Sequence, residues 1–230
     1  MKVIKPSYEI LDEIDGEKVL RKIEMCARVS HKSENRITET GAAPFVKSII
    51  ELHDESVLEH VSITVRFVCD RGVSHELVRH RIAAFTQEST RYCNYSKDGF
   101  GNEITVIQPC FLSDMTYLDM EEEIPCASRG FTHKDFAWYN AMQHAETFYF
   151  DMLKAGATPE EARSVLPNSL KTEVVCTANL REIRHILKLR CNKRAHPQIR
   201  ELMVPLLHEL QAKIPVVFDD IAERIREQNE

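Results

Sequence analysis

The chain of 230 residues is 43% hydrophobic and 29% charged, and its formal net charge at pH 7 is −6. This length and apolar content are enough to bury a core, as one large domain or two small ones, and they exclude a disordered chain. The sequence has no apolar run of about 18 residues and no hydrophobic secretory leader, so we expect no membrane segment and a cytoplasmic location.

The first half of the chain predicts three helices and one strand. Apolar residues at helical spacing indicate a helix over 17–29, and a proline in a first turn favours another over 45–52. Residues 60–70 alternate between apolar and polar side chains, which is typical of a half-buried strand. Good helix formers then predict a helix over 73–83, followed by a polar, irregular loop over 84–95.

The second half predicts two more strands and a series of helices. Strands are expected at 103–108 and 170–177, and a surface excursion over 109–132 leads into a long helix over 133–155. Thr158 has the character of an N-cap because a proline and two acids follow it, and it begins a short helix. The chain then ends with helices at about 179–192, 197–212 and 215–228.

These elements indicate an α+β fold in which an antiparallel sheet packs between helical layers. No internal repeat, low-complexity segment or linker divides the sequence. We therefore expect a single domain over residues 1–230.

Glycine, cysteine and histidine restrict the chemistry further. The seven glycines form neither a G-x-G-x-x-G nor a Walker A pattern, so a bound nucleotide must be held by side chains. The seven cysteines include no C-x-x-C pair, which favours reduced thiols over a disulfide framework or zinc ribbon. The closest histidines, His75 and His80, are five residues apart and do not stack on one helix face, so we expect no metal site.

An arginine-rich segment at residues 76–92 carries the densest functional chemistry. Arg79, Arg81 and Arg91 occur there with hydroxyl and carboxamide side chains. The arginine fork binds phosphate through two parallel hydrogen bonds, and Ser, Thr and Gln supply further donors. The segment therefore suits an anion site without glycine, although a solvated helix with surface ion pairs has the same composition.

The run RHRIAAFTQESTRY resembles the signature of the flavin-dependent thymidylate synthases, in which R-H-R and S-x-R are separated by seven residues. Ala84 departs from the pattern, since the family often has serine there. Further segments resemble other family elements in the same order: HDESVLEH at 53–60, with one extra residue, ARSVLP at 162–167, N-L-R, H and L-R at 179–190, and H-P-Q at 196–198.

The resemblance implies an enzyme that converts dUMP to dTMP. In this family 5,10-methylenetetrahydrofolate supplies the carbon and NADPH supplies hydride through FAD. The flavin makes a cysteine nucleophile unnecessary, so none of the seven cysteines needs a catalytic role. The family assembles as a homotetramer whose subunits share active sites, and no nucleic acid or membrane partner is implied.

The resemblance also implies site residues. The catalytic residue would be Arg190, which would favour the ionised uracil from its N3/O2 side. The dUMP-binding residues would be Glu76, Leu77, Val78, Arg79, Gln87, Glu88, Ser89, Thr90, Arg91, Arg163 and Arg190, with Glu76 and Arg79 reaching dUMP from another subunit. The FAD-binding residues would be Ser56, Arg79, His80, Arg81, Gln87, Asn179, Leu180, Arg181 and His185.

The predicted helix over 179–191 provides a physical check on Arg190. Leu180, Ile183, Ile186 and Leu187 form one apolar stripe, and Arg190 projects with that stripe. An arginine on an apolar face is costly unless it is paired or serves a ligand. From periodicity alone, a snorkelling cation near the helix C-terminus explains Arg190 equally well.

Two other classes of protein stay open at this point. A non-catalytic nucleotide-binding regulator would use the same arginines without a flavin. An RNA-binding protein would use Arg79, Arg81 and Arg91, although the net charge of −6 argues against general nucleic-acid binding.

Overall fold

A computed structural model describes residues 1–97, 99, 101–116 and 130–228. The strands are β1 (Lys2–Ile4), β2 (Ser7–Ile10), β3 (Ser62–Asp70), β4 (Ala83–Gln87), β5 (Thr105–Ile107) and β6 (Lys171–Asn179). The α-helices are α1 (Gly16–Val29), α2 (Ala42–Glu51), α3 (Arg71–Leu77), α4 (His133–Lys154), α5 (Pro159–Ala162), α6 (Leu180–Arg190), α7 (Pro197–Lys213) and α8 (Asp219–Glu227). None of the described helices has the length and apolarity to cross a bilayer.

The structure confirms an α+β fold with an antiparallel sheet, whose strands are hydrogen-bonded in the order β2-β3-β6-β4. A second, two-stranded sheet pairs β1 with β5 in parallel, and Val3 lies opposite Val106. The sequence reasoning missed β1 and β2, which have only three and four residues. Segments this short show too few periods to be recognised.

The chain divides into two compact units. Unit 1 contains Met1–Ser7, Phe67–Leu77 and Thr86–Val174, and unit 2 contains Tyr8–Arg66, Val78–Phe85 and Val175–Glu230. The expectation of one domain over residues 1–230 stays a prediction.

The predicted helix over 73–83 and loop over 84–95 are wrong in their boundaries. Helix α3 ends at Leu77, and β4 occupies the last residue of the expected helix and the first four residues of the expected loop. Along β4, half-buried and exposed side chains alternate from Ala83 to Gln87, which is the period of a strand. Two consecutive alanines conceal this period in the sequence. As a consequence, Arg79, His80 and Arg81 lie in the connection between α3 and β4, and not on a helix.

Unit 1 has an apolar core built largely around α4. Tyr139 and Tyr149 of this helix are buried with Ile104, Val106 and Leu170. The start of α5, the helix that follows α4, is fixed by a capping box, in which Thr158 and Glu161 each accept a hydrogen bond from the other's backbone N–H. Helix α5 and the 3₁₀ turn Arg163–Val165 then pack against α4, which fixes the backbone of Arg163.

Unit 2 is organised around α6. Its predicted stripe is buried, since Leu180 and Leu187 are fully inaccessible and Ile183 and Ile186 are each 7% exposed. Helix α6 packs against α7, α8 and the 3₁₀ segment Glu55–His60.

Helical periodicity places Arg184 opposite the apolar stripe of α6, on a face expected to be solvated, yet Arg184 is only 1% exposed. Its guanidinium pairs with Glu55 at 2.9 Å and Asp220 at 2.7 Å, and it donates to the carbonyl of Val217. Burial raises the pKa of Glu55, but the hydrogen bond and charge of Arg184 outweigh it and the net pKa is lowered.

Candidate functional site

The polar segment that follows β4 is held within unit 1 by side-chain hydrogen bonds. Gln87 Nε2 donates to Ser74 Oγ at 3.0 Å and to Thr172 Oγ1 at 3.2 Å. The backbone N–H of Glu88 donates to the carbonyl of Glu173 at 2.9 Å. These contacts fix the backbone at the start of the segment, so Ser89, Thr90 and Arg91 leave the strand at a defined place.

Glu88 is engaged by a lysine that the sequence reasoning did not single out. Lys171 Nζ donates to Glu88 Oε2 at 2.9 Å, and the Tyr95 hydroxyl donates to Glu88 Oε1 at 3.5 Å. Burial lowers the pKa of Lys171, but hydrogen bonds to Glu173 and Glu88 outweigh it and raise the pKa overall. Lys171 therefore balances the charge of Glu88 inside unit 1. Because Glu88 is already paired, it does not neutralise the neighbouring arginines.

Thr90, Arg91 and Arg163 come together in the same unit. Arg163 Nη1 donates to Thr90 Oγ1 at 3.5 Å, which is at the long limit of a hydrogen bond. Arg91 Nε lies 3.0 Å from Glu160 Oε1 in an exposed pair, and the Ser89 hydroxyl accepts from the backbone N–H of Arg91. An exposed ion pair contributes little, so Arg91 can exchange Glu160 for an anionic ligand at low cost.

The other residues predicted to bind dUMP divide between the units. Glu76 and Leu77 end α3 in unit 1, and Leu77 is only 1% exposed, so it presents almost no accessible surface to a ligand. Val78 and Arg79 are exposed in unit 2. Arg190, at the end of α6, also belongs to unit 2, and the convergence of this whole set on one dUMP stays a prediction.

In unit 2, three polar side chains form a chain of contacts: Arg190 at the C-terminal end of α6, His80 in the connection between α3 and β4, and Glu182 in the first turn of α6. Arg190 Nε donates to His80 Nε2 at 3.0 Å. His80 Nδ1 lies 3.4 Å from Glu182 Oε1, and both side chains are at least 90% buried. Because Nε2 accepts the hydrogen bond, the proton of a neutral His80 resides on Nδ1 and points towards Glu182. The guanidinium of Arg190 is thereby held at its Nε.

Burial, followed by the charges of Arg190 and His185, lowers the pKa of His80 to about 4. The carboxylate of Glu182 would favour the imidazolium, but a cation beside Nε2 and the loss of solvent prevail. His80 is thus a neutral hydrogen-bond link at physiological pH.

The nitrogen and oxygen donors of His80, Glu182 and His185 lie within 4.8 Å of one another, a spacing that suits a metal ion. However, Nε2 of His80 is already used by the cationic Arg190, and a guanidinium at 3.0 Å repels a metal. The geometry therefore favours the hydrogen-bond chain, and the expectation of no metal site stays a prediction.

Three of the nine residues predicted to bind FAD, Asn179, Arg181 and His185, line one cavity of unit 2. This cavity has a volume of about 410 Å³ and is lined by Glu55, Glu59, Ile82, Asn179, Arg181, Glu182, His185 and Lys188. Arg181 pairs with Glu59 at 2.6 Å, and the exposed His185 ring meets the His80 ring edge to face. The volume falls in the usual range of about 300–1,000 Å³ for small-molecule sites.

Asn179 caps α6 and accepts a hydrogen bond from the backbone N–H of Glu182 at 2.9 Å. The cap fixes the first turn of the helix and so helps to place the Glu182 carboxylate beside His80. Leu180 is fully buried and its backbone N–H donates to the carbonyl of Val61 at 2.8 Å, so it presents no accessible surface to a cofactor in this chain. Ser56 is exposed in the 3₁₀ segment Glu55–His60, and Arg81 is exposed beside Ile82. Gln87, which was also predicted to bind FAD, belongs to unit 1.

Glu182 and Lys171 contribute to these clusters and were missed from the sequence. Glu182 stands three residues after Asn179, a position where an acid is usual for reasons of helix capping and dipole alone. Lys171 opens β6, where alternation explains a polar residue without a role. Nothing in either pattern distinguishes a functional partner from an ordinary one.

The chain matches the family model described as thymidylate synthase complementing protein over residues 10–216. A flavin-dependent thymidylate synthase of Geobacter sulfurreducens is 32% identical over 186 residues, which cover 80% of this chain and 72% of the relative. Another, of Mycolicibacterium gilvum, is 31% identical over 224 residues, which cover 94% of this chain and 84% of the relative. The fold is similar to that of the UMP/dUMP methylase PolB from Streptomyces cacaoi bound with 5-Br dUMP, with a TM-score of 0.72, 24% identity and coverage of 95% of this chain and 96% of that one.

Proposed function

Because the chain belongs to the thymidylate synthase complementing protein family, we propose that it is a flavin-dependent thymidylate synthase that methylates dUMP to dTMP. The carbon donor is 5,10-methylenetetrahydrofolate, and NADPH is the reductant of the bound FAD. The observation that carries the proposal is the match over residues 10–216, within which both polar clusters described above fall.

The cavity of unit 2 offers a donor set that suits FAD. Arg181, Lys188 and His185 provide cationic or donor groups for a diphosphate, and Asn179 provides a carboxamide. Ile82 is 69% exposed and offers an apolar surface to a ring. Bound FAD supplies the hydride that reduces the transferred carbon. The side chains hold its phosphates in place of a glycine loop, as expected for a chain with seven scattered glycines.

Arg190 acts on the uracil through its guanidinium. Methylation at C5 needs an electron-rich C5–C6 bond, and a cation beside N3 and O2 stabilises negative charge that develops on the ring. His80 Nε2 accepts the hydrogen bond from Arg190 Nε, and the Nδ1–H of His80 points towards the carboxylate of Glu182. The two buried groups restrict rotation of the guanidinium, so less order must be imposed when substrate binds.

Unit 1 binds the anionic end of dUMP. Arg163, Thr90 and Ser89 supply donors, and Arg91 exchanges its surface partner Glu160 for the nucleotide. The Glu88–Lys171 pair keeps the carboxylate that follows β4 from opposing an anion. Glu76 and Arg79 reach dUMP from a neighbouring subunit of a homotetramer, in which each active site is shared.

Three buried thiols among the described residues are unsuited to act as nucleophiles. Burial raises the pKa of Cys69 to about 12, of Cys176 to about 11 and of Cys191 to about 12. A thiol acts as a nucleophile only as the thiolate, so these three are inert near neutral pH. Cys126 lies outside the described residues. Activation of uracil therefore depends on charge stabilisation rather than on covalent addition of sulfur at C6.

The absorption spectrum of the purified protein tests this proposal. Reconstitution with FAD is expected to give a flavin band that NADPH bleaches under anaerobic conditions, and addition of dUMP with the folate is expected to restore the band and yield dTMP. A protein that binds dUMP but binds no FAD at micromolar concentration is instead a nucleotide-binding regulator. Salt-dependent RNA binding without nucleotide binding would likewise refute the proposal.

A further inference from the structure

Helix α4 carries an apolar surface on the side that faces away from the core of unit 1. Tyr139 and Tyr149 of this helix are buried in that core. The apolar residues of α4 that are exposed are Ala137, Ala141 and Phe148, and Phe148 is 59% exposed. At 100° per residue, these three side chains project from the face opposite the two tyrosines. A phenylalanine is more often buried than exposed, so this surface is a candidate contact.

The exposed apolar residues belong to a longer pattern on the same face of α4. Side chains there follow one another in alternating steps of three and four residues, and we refer to the six as the α4 seam: Lys134, Ala137, Ala141, His144, Phe148 and Asp151. This spacing is that of a coiled coil, in which one helix packs lengthwise against another. The helix has 22 residues and is about 33 Å long, so the seam suits a second helix and not a small ligand.

The α4 seam is complementary to a second copy of itself in the antiparallel direction. A two-fold axis between residues 142 and 143 brings three pairs opposite each other: Lys134 with Asp151, Ala137 with Phe148, and Ala141 with His144. Each pair joins opposite charges or sets a ring against a methyl group, which lets the two backbones approach closely. A parallel arrangement would instead set Lys134 against Lys134 and Phe148 against Phe148, and like charges disfavour it.

The charged ends of the α4 seam make only exposed contacts within the chain. Lys134 Nζ donates to the carbonyl of Phe111 at 2.9 Å, and Asp151 lies 3.5 Å from Lys154 Nζ. Exposed pairs of this kind contribute little to stability, so both side chains can exchange their present partners for a neighbouring helix at low cost.

We propose that two copies of this chain associate through antiparallel α4 helices, with Phe148 of each copy packed against Ala137 of the other. His144 covers the opposite Ala141 with its ring carbons and keeps its nitrogens in solvent. The seam has six residues on each side, whereas a stable interface has about 20–30, so the helix pair is one contact of a larger assembly. The inference goes beyond the proposed enzymatic function and does not rest on it.

Sedimentation equilibrium on the full chain, with and without added FAD, tests the association. Phe148→Glu places a charge in the middle of the pair, and Thr147→Glu is the matched control, because Thr147 is an exposed neighbour outside the α4 seam. A second series swaps the end charges singly, as Lys134→Glu and Asp151→Lys, and then together. Circular dichroism verifies that each variant is folded.

We expect the unmodified protein to have a molar mass at least twice that of one chain. Phe148→Glu is expected to weaken association at least about 100-fold, and Thr147→Glu to associate like the unmodified protein. Each single swap is expected to weaken it about 10-fold, because the two-fold axis repeats the unfavourable pair, and the double swap to restore it.

A zero-length carbodiimide cross-link identifies the paired helices directly. Lys134 and Asp151 are about 25 Å apart along one helix, so a peptide that joins their side chains comes from two copies. We expect this cross-linked peptide from the unmodified protein and not from Phe148→Glu.

Three results would overturn the inference. The first is an unmodified protein that is monomeric at tens of micromolar, in which case the α4 seam is left to a different partner. The second is a Phe148→Glu variant that associates as tightly as Thr147→Glu. The third is a double swap no better than the single swaps, or an associated protein that gives no link between Lys134 and Asp151. If Phe148→Glu fails to fold, the charge swaps and the cross-link decide.

Discussion

The neutral state of His80 makes the stability of the protein depend on pH in a defined direction. The His80 side chain is 5% exposed and its pKa is lowered to about 4 in the folded protein, against 6.5 in a solvated histidine. Between these two values the unfolded chain binds a proton that the folded chain does not bind. Acid therefore favours unfolding, so the stability contributed by neutral His80 is complete above about pH 6.5 and falls as the pH approaches about 4.

The magnitude follows from the difference between the two pKa values. At about 1.4 kcal/mol per pKa unit, a shift from 6.5 to about 4 corresponds to about 3 kcal/mol. The other titrating groups of the chain also change stability over this range, so the quantity to measure is a difference between two proteins. The substitution His80→Gln removes the titrating ring while retaining an amide near the position of Nε2, where it can still accept from Arg190.

Urea unfolding, followed by circular dichroism at a fixed FAD concentration, gives the free energy of unfolding of both proteins from pH 7.5 to pH 4. We expect the advantage of the unmodified protein over His80→Gln to shrink by about 3 kcal/mol across this range. His144→Gln is the control, because His144 is exposed on α4, and its difference from the unmodified protein is expected to stay level. A His80→Gln difference that is constant with pH would refute the neutral, buried link to Arg190.

Three further predictions concern catalysis, stability and the thiols. Arg190→Ala is expected to retain FAD, judged by its absorption band, and to lower dTMP formation at least about 100-fold, whereas turnover at the unmodified rate would contradict its role on the uracil. Arg184→Met removes the buried cation that pairs with the partly buried Glu55 and the exposed Asp220, and is expected to lower the free energy of unfolding by about 2–3 kcal/mol; a loss under 1 kcal/mol, measured in urea, would show that this ion-pair network is not stabilising. Replacement of Cys26, Cys93 and Cys110 by serine is expected to change turnover less than twofold, and loss of dTMP formation with FAD still bound would point to a thiol in the chemistry.

The helices could be predicted wherever spacing and capping agree. Along α6, the apolar stripe is buried as the sequence indicated, and the helix begins close to the predicted residue 179, where Asn179 caps it. The same reasoning fails at β4, where Ala83 and Ala84 suit a helix locally but pairing with β6 decides the conformation. Arg184 shows a similar limit. Helical geometry predicts the face of α6 on which it lies, but its burial is stabilised by ion pairs with Glu55 and Asp220, which the sequence does not reveal.

The candidate site was predictable by residue type and order but not by pairing. The run from Arg79 to Arg91 identifies an anion-binding segment, yet its residues belong to two units and meet partners far away in sequence. His80 contacts Arg190, and Glu88 contacts Lys171.

A single-turnover reaction tests the central claim most directly. The FAD-loaded protein is reduced chemically under anaerobic conditions, which removes any dependence on NADPH, and is mixed with dUMP and 5,10-methylenetetrahydrofolate. The account predicts that flavin absorbance returns and that one dTMP forms for each flavin reoxidised, with Arg190→Ala failing in both. Flavin that stays reduced in the presence of both substrates, or flavin reoxidation without dTMP, would contradict it.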